Sequence, residues 1–138
     1  MYRELIEKQA ETNKYIHPHE GATEKEIAKA EKEMKVKFPA ELRTLLSEMN
    51  GDGYLFMSTK TIVEYNKMKR DILGEVYEGL DKLLFFGENG CGDHYSYLID
   101  DNNALEGNIV FWEHETNEYH TVAKDLIELI KRYFNNEI

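Results

Sequence analysis

A chain of 138 residues has ordinary single-domain length and can bury one core without disulfide staples, so one domain over residues 1–138 is expected. Its 17 Lys and Arg against 27 Asp and Glu leave a formal net charge of -10, which repels phosphate, argues against nucleic-acid binding, and favours a basic protein partner. The single cysteine excludes an internal disulfide; no apolar run approaches the roughly 18 residues of a membrane span, and "MYRELIEKQAETNK" lacks the apolar core of a secretory leader, so a cytoplasmic protein with no membrane partner is expected.

Residues 1–16 place Leu5, Ile6 and Ala10 at helical spacing among charges, which predicts an amphipathic helix that "HPHEG" ends. "ATEKEIAKAEKEM" opens with Thr23 and Glu26 in the capping-box arrangement and carries Ile27, Ala30 and Met34 as one stripe, predicting a second helix. Pro39 suits the first turn of a third, whose apolar positions are Leu42, Leu45, Leu46 and Met49 before "NGDG" stops it. "YLFMS" reads as a short strand. "TKTIVEYNKMKRDIL" has Ile62, Val63 and Asn66 at helical offsets and predicts a fourth helix. "LLFFG", "DHYSYLID" and "GNIVFWEHETNEYHTV" are rich in aromatic and β-branched residues and separated by Gly, Asn and Asp, the pattern of an antiparallel meander. "KDLIELIKRYF" returns to helical spacing through Leu126, Ile127, Ile130 and Phe134.

Chemistry concentrates in "FGENGCGDHYSYLIDDNN", with the only cysteine, Cys91, three residues before His94. A thiolate nucleophile needs a cationic neighbour or a helix N-terminus to lower its pKa, and the nearby carboxylates oppose it. A turn role for Cys91 is the better account. Asp93, His94, Asp100 and Asp101, with His114 or His120, offer oxygen and nitrogen donors, but "DDNNALEG" lacks calcium-loop spacing and "HETNEYH" lacks the helical spacing of zinc-binding histidines, so no metal is expected. With "TN" as a hairpin tip, Glu113 would face His120 and His114 would face Tyr119, placing the two histidines on opposite sides of the sheet. "GENGCG" has neither phosphate-loop spacing nor a following helix, and no cofactor is expected. Gly87, Gly90 and Gly92 suit positive φ in a hairpin connection. Trp112 and the tyrosines suit the core.

The order of a capped helix "ATEKEIAKAEKEM", then "VKFPAELRTLLSEMNGDG", "LLFFGENGCGDHYSYLID", "GNIVFWEHET" and a last helix resembles the SUKH superfamily, bacterial relatives of the yeast Smi/Knr cell-wall regulator. The resemblance runs from about Ala22 to Tyr133 and leaves residues 1–20 as an additional element. It implies an α+β fold, an antiparallel β-sheet meander with helices packed on one side, and no enzyme activity. It also implies an immunity protein that binds a cognate polymorphic or contact-dependent toxin domain, a basic nuclease being the natural fit to the charge. A non-catalytic regulatory module is the alternative, and a small hydrolase using Cys91 and His94 a third. Gly87, Gly90, Gly92 and Asp93 match the superfamily's turn positions, which are structural. Because loops on a rigid sheet present contact residues, Glu88, Asp93, Asp100, Asp101, Glu113 and Glu115 are the expected partner-binding acids.

Overall fold

A computed structural model describes residues 1–102 and 105–138. In chain order these form α1 (Tyr2–Ala10), α2 (Glu24–Met34), α3 (Ala40–Glu48), α4 (Thr59–Leu73), a 3-10 turn (Leu80–Lys82), β1 (Leu83–Glu88), β2 (His94–Ile99), β3 (Leu105–Glu113), β4 (Glu118–Ala123) and α5 (Leu126–Phe134). The strands form an antiparallel meander in the order β1-β2-β3-β4, so the α+β expectation holds.

The helices start where local chemistry satisfies their first amides. At α2 the Thr23 hydroxyl accepts from Glu26 N–H at 3.1 Å while the Glu26 carboxylate accepts from Thr23 N–H at 3.0 Å, a reciprocal capping box. Ser58 caps α4 by accepting from Thr61 N–H at 3.1 Å, and Asp125 caps α5 by accepting from Glu128 N–H at 2.8 Å. Pro39 is the residue before α3 rather than within it, where its missing N–H is equally harmless.

Two elements differ from the sequence-based expectation. The first helix ends at Ala10, well before "HPHEG". Asn13 accepts Tyr15 N–H on its own side chain at 3.0 Å, and the chain then docks beside α3: His17 N–H donates to Asp52 O at 2.9 Å and Ala22 N–H to Leu46 O at 2.8 Å. "YLFMS" is no full strand; Phe56 makes a single bridge to Gly87. Around that bridge Glu88 N–H donates to Leu55 O and Met57 N–H to Phe86 O, both at 2.9 Å, so this segment closes the outer edge of β1.

Alternation along the strands sorts the sheet into two faces. Tyr95, Tyr97, Ile109 and Phe111 share one, packed by α5 and reached by α3, whose Glu41 carboxylate accepts from Tyr97 Oη at 2.8 Å and from Leu126 N–H at 3.1 Å. Phe85, His94 and Trp112 share the other. There α4 lies along β1, and its Tyr65 and Lys69 extend over His94 and Trp112. Helices thus flank both faces of the sheet and not one side alone as expected, because the strands carry apolar side chains on both faces. Trp112 is fully buried, which agrees with its core assignment. Among the described residues no helix is long and apolar enough to cross a membrane.

Candidate functional site

A meander sends successive turns to opposite ends of the sheet, and this decides how the acids are grouped. The β1–β2 turn (residues 89–93) and the β3–β4 turn (residues 114–117) lie side by side, because Glu88 pairs with His94, His94 with Trp112, and Glu113 with Glu118. Glu88, Asp93, Glu113 and Glu115 therefore cluster at one end. Asp100 and Asp101 follow β2 at the opposite end, so the six acids do not form one surface. There Asp101 lies 3.6 Å from Lys82, and Asp100 accepts Asn102 N–H at 2.8 Å; the Asn103 and Ala104 step of "DDNNALEG" lies outside the described residues.

Asp93 joins the two turns. One carboxylate oxygen accepts from His114 N–H at 2.9 Å and lies 2.7 Å from His114 Nδ1; the other accepts from Asn89 Nδ2 at 3.2 Å. Partial burial pushes its carboxyl up, but the His114 amide and ring together with Asn89 outweigh that, holding it below the usual aspartate value. Asp93 thus braces the turns as well as adding charge. Asn89 Oδ1 in turn accepts from Cys91 N–H at 2.8 Å.

Gly90 and Gly92 have φ of +80° and +93°, as turn positions that favour glycine do. Gly87 is different: it lies inside β1, not in the turn, and has no positive φ. A β-carbon there would sit 3.0 Å from the Leu55 carbonyl oxygen, so glycine permits the close approach that closes the β1 edge. At Gly92 a β-carbon would lie 3.1 Å from His114 Nδ1. Gly92→Val is therefore expected to cost roughly 1–3 kcal/mol, the range for a non-glycine residue in such a backbone conformation. Thermal melting checks this, and an unchanged melting temperature would mean the turn relaxes without loss.

Cys91 is exposed, whereas His94 is buried between Phe85 and Trp112, with ring centroids 4.6 Å and 6.0 Å away. His94 Nδ1 donates to Gly87 O at 3.2 Å, and no hydrogen bond links the imidazole to Cys91. Burial, aided by Lys69, pushes its pKa down to about 4 and keeps it neutral near pH 7. The two side chains point into different environments, and the cysteine-histidine pair does not assemble.

The expected pairing of Glu113 with His120 and of His114 with Tyr119 is also corrected. Glu113 faces Glu118, Phe111 faces His120, and His114 lies in the turn. The shift follows from Asn117, which takes φ +58° at the end of a four-residue loop. Its Oδ1 accepts from Trp112 Nε1 at 2.8 Å and its Nδ2 donates to Glu78 O at 2.9 Å, fixing the register. His114 is held by Asp93 and His120 stands against Phe111. Among the described residues no group of three or more His, Cys, Asp or Glu could hold a metal ion.

Sequence reasoning missed Asp52, a fully buried carboxylate within "NGDG". Its Oδ1 accepts from the N–H groups of Tyr54, Leu55 and Phe56 at 2.8, 2.8 and 2.9 Å, while Oδ2 has no hydrogen-bond partner among the described residues. Burial raises its pKa although those three amides oppose the shift. Glu88 is raised as well, first by burial and then by the charge of Asp52. Both carboxyls belong to the frame that seats the β1 edge.

The family model described as SMI1 / KNR4 family (SUKH-1) matches residues 21–132. A search of curated proteins gives no match.

Proposed function

Because the chain belongs to the SMI1 / KNR4 family (SUKH-1), we propose that it is an immunity protein, a binding module that occupies a basic toxin domain with an acidic surface. Family membership carries this reading, and the net charge of -10 supports it by having the sign that attracts such a partner. Neither the Cys91–His94 pair nor the acids assemble catalytic geometry among the described residues, which fits a protein that acts by occupancy.

The two-turn end of the sheet is the proposed contact surface. Glu113 and Glu115 stand there without an ion pair among the described residues, while Asp93 is committed to bracing and its loss would act partly through folding. The decisive experiment takes a reading frame that adjoins this chain's gene and ends in a basic domain, and expresses that domain with and without the chain. The chain should restore growth. Double reversal Glu113→Lys with Glu115→Lys should slow association by about tenfold at low salt and weaken its salt dependence, whereas Asp100→Lys with Asp101→Lys should leave both nearly unchanged. A domain that is toxic whether or not the chain is present, and does not bind it, would replace immunity with the regulatory-module reading.

A further inference from the structure

The two edges of the sheet are finished differently. Outside β1, Leu55–Met57 supply backbone partners, and the Asn66 side chain accepts from Phe85 N–H and donates to Phe85 O, both at 2.9 Å. Outside β4 there is no strand among the described residues. Glu118, Tyr119, His120 and Thr121 are all exposed; the Glu118 N–H donates locally to Thr116 Oγ1 at 3.3 Å, and farther along Arg132 donates to the Val122 carbonyl. An open edge presents a row of unpaired N–H and C=O groups, which folded proteins ordinarily guard with Lys, Pro or a covering segment. "EYHT" carries neither Lys nor Pro.

Two further features lie along that same edge. Beside it is a cleft of about 370 Å³ lined by Tyr95, Phe111, His120, Val122 and Tyr133, where the face covered by α5 is left partly open. Its wall is well desolvated: burial, followed by the charge of Asp93, pushes the Tyr95 hydroxyl up to about 12. Next to the cleft, Glu113 and Glu118 are directly opposed across β3 and β4 and lie on the face of Phe111 and His120. Like charges so placed repel, and neither carboxylate has a cationic partner among the described residues. Arg132, which also lines the cleft, is occupied by the Val122 carbonyl and by Glu137 at 3.7 Å.

We propose that residues 118–121 of β4 receive an extended basic segment of the partner protein as a fifth strand. A Lys or Arg of that segment lies against Glu113 and Glu118, and an apolar side chain enters the cleft. Backbone pairing supplies affinity in this mode, and alternate side chains supply selectivity. The cation relieves a repulsion that the isolated chain carries. Tyr119, half exposed on the opposite face, is a platform for the segment's remaining side chains. The inference rests on the reading of the chain as a binding module for a basic partner.

The test pans a random 12-residue peptide library, displayed on phage, against the folded chain, and uses synthetic peptides of the enriched sequences as probes. Enriched sequences should place Lys or Arg in alternation with apolar residues, and their peptides should slow amide exchange at residues 118–121. Glu118→Lys should weaken peptide binding at least tenfold while melting no lower than the parent, since the new lysine faces Glu113; Glu118→Gln should weaken it about threefold. Affinity unchanged within twofold in both variants overturns the proposal, as does an absence of enrichment or protection confined to other residues. The outcome is separable from the immunity reading. A Glu118→Lys chain that still protects against the toxin removes the β4 edge and leaves immunity standing, whereas failed protection with intact peptide binding does the reverse.

Discussion

Asn66→Ala is expected to lower the unfolding free energy by about 3–4 kcal/mol, a large share of the stability of a small domain. Asn66 is buried on α4, and its amide makes three bonds: Phe85 N–H donates to Oδ1 at 2.9 Å, and Nδ2 donates to Phe85 O at 2.9 Å and Ile62 O at 2.7 Å. Truncation leaves both polar groups of Phe85 without a partner at a buried edge, each costing about 1–3 kcal/mol before relaxation. Asn66→Leu keeps the volume but not the bonds, so it should lose nearly as much. Urea titration measures both, and a loss below about 1 kcal/mol in either would show that water or a backbone shift replaces the amide.

Asp52→Ala should be at least as damaging, about 3–5 kcal/mol, because the buried N–H groups of Leu55 and Phe56 and the partly buried one of Tyr54 lose one acceptor together. Asp52→Asn retains that acceptor and should stay within about 1 kcal/mol near neutral pH. The pH dependence separates the variants further. A carboxyl whose pKa is raised in the fold contributes stability that is fully present below the unfolded value near 3.8 and is lost as pH rises through the raised value. Asp52→Asn does not titrate, so its deficit relative to the parent should be largest near pH 3 and shrink as pH rises past that window. His94 acts in the opposite sense. Its depressed pKa gives stability present above the unfolded value of 6.5 and lost as pH falls toward about 4. Comparing Asp52→Asn with the parent at each pH cancels that common contribution. A deficit that grows with pH would overturn the assignment for Asp52.

The legible parts of the sequence were those with local causes. Thr23 and Glu26 announce α2 because the capping box is a contact between residues three apart, and the alternating aromatic stretches announce the sheet. The first helix was overextended because its end depends on Asn13 and on docking of the following segment against Leu46 and Asp52, partners far along the chain. Asn66 shares the helical offsets of Ile62 and Val63, but its partner belongs to β1 and no spacing reveals it. The division of the six acids was available in principle, since turns of a meander alternate between ends. By contrast, the true pairing of Glu113 with Glu118 depends on how Asn117 reaches Trp112 and Glu78.

The stretch matched by the family begins at residue 21, yet the apolar interior does not begin there. Tyr2 and Ile6 of α1 are buried in the same core as Leu45 and Leu126, and Arg3 is fastened to the Glu48 carbonyl at 2.9 Å and to the His19 carbonyl at 2.8 Å. Trimming the chain to the shared stretch would thus unroof α3 and α5 rather than remove an ornament. The segment ahead of the matched stretch shares its apolar interior, so a cut at residue 21 would fall inside the core and not at its border.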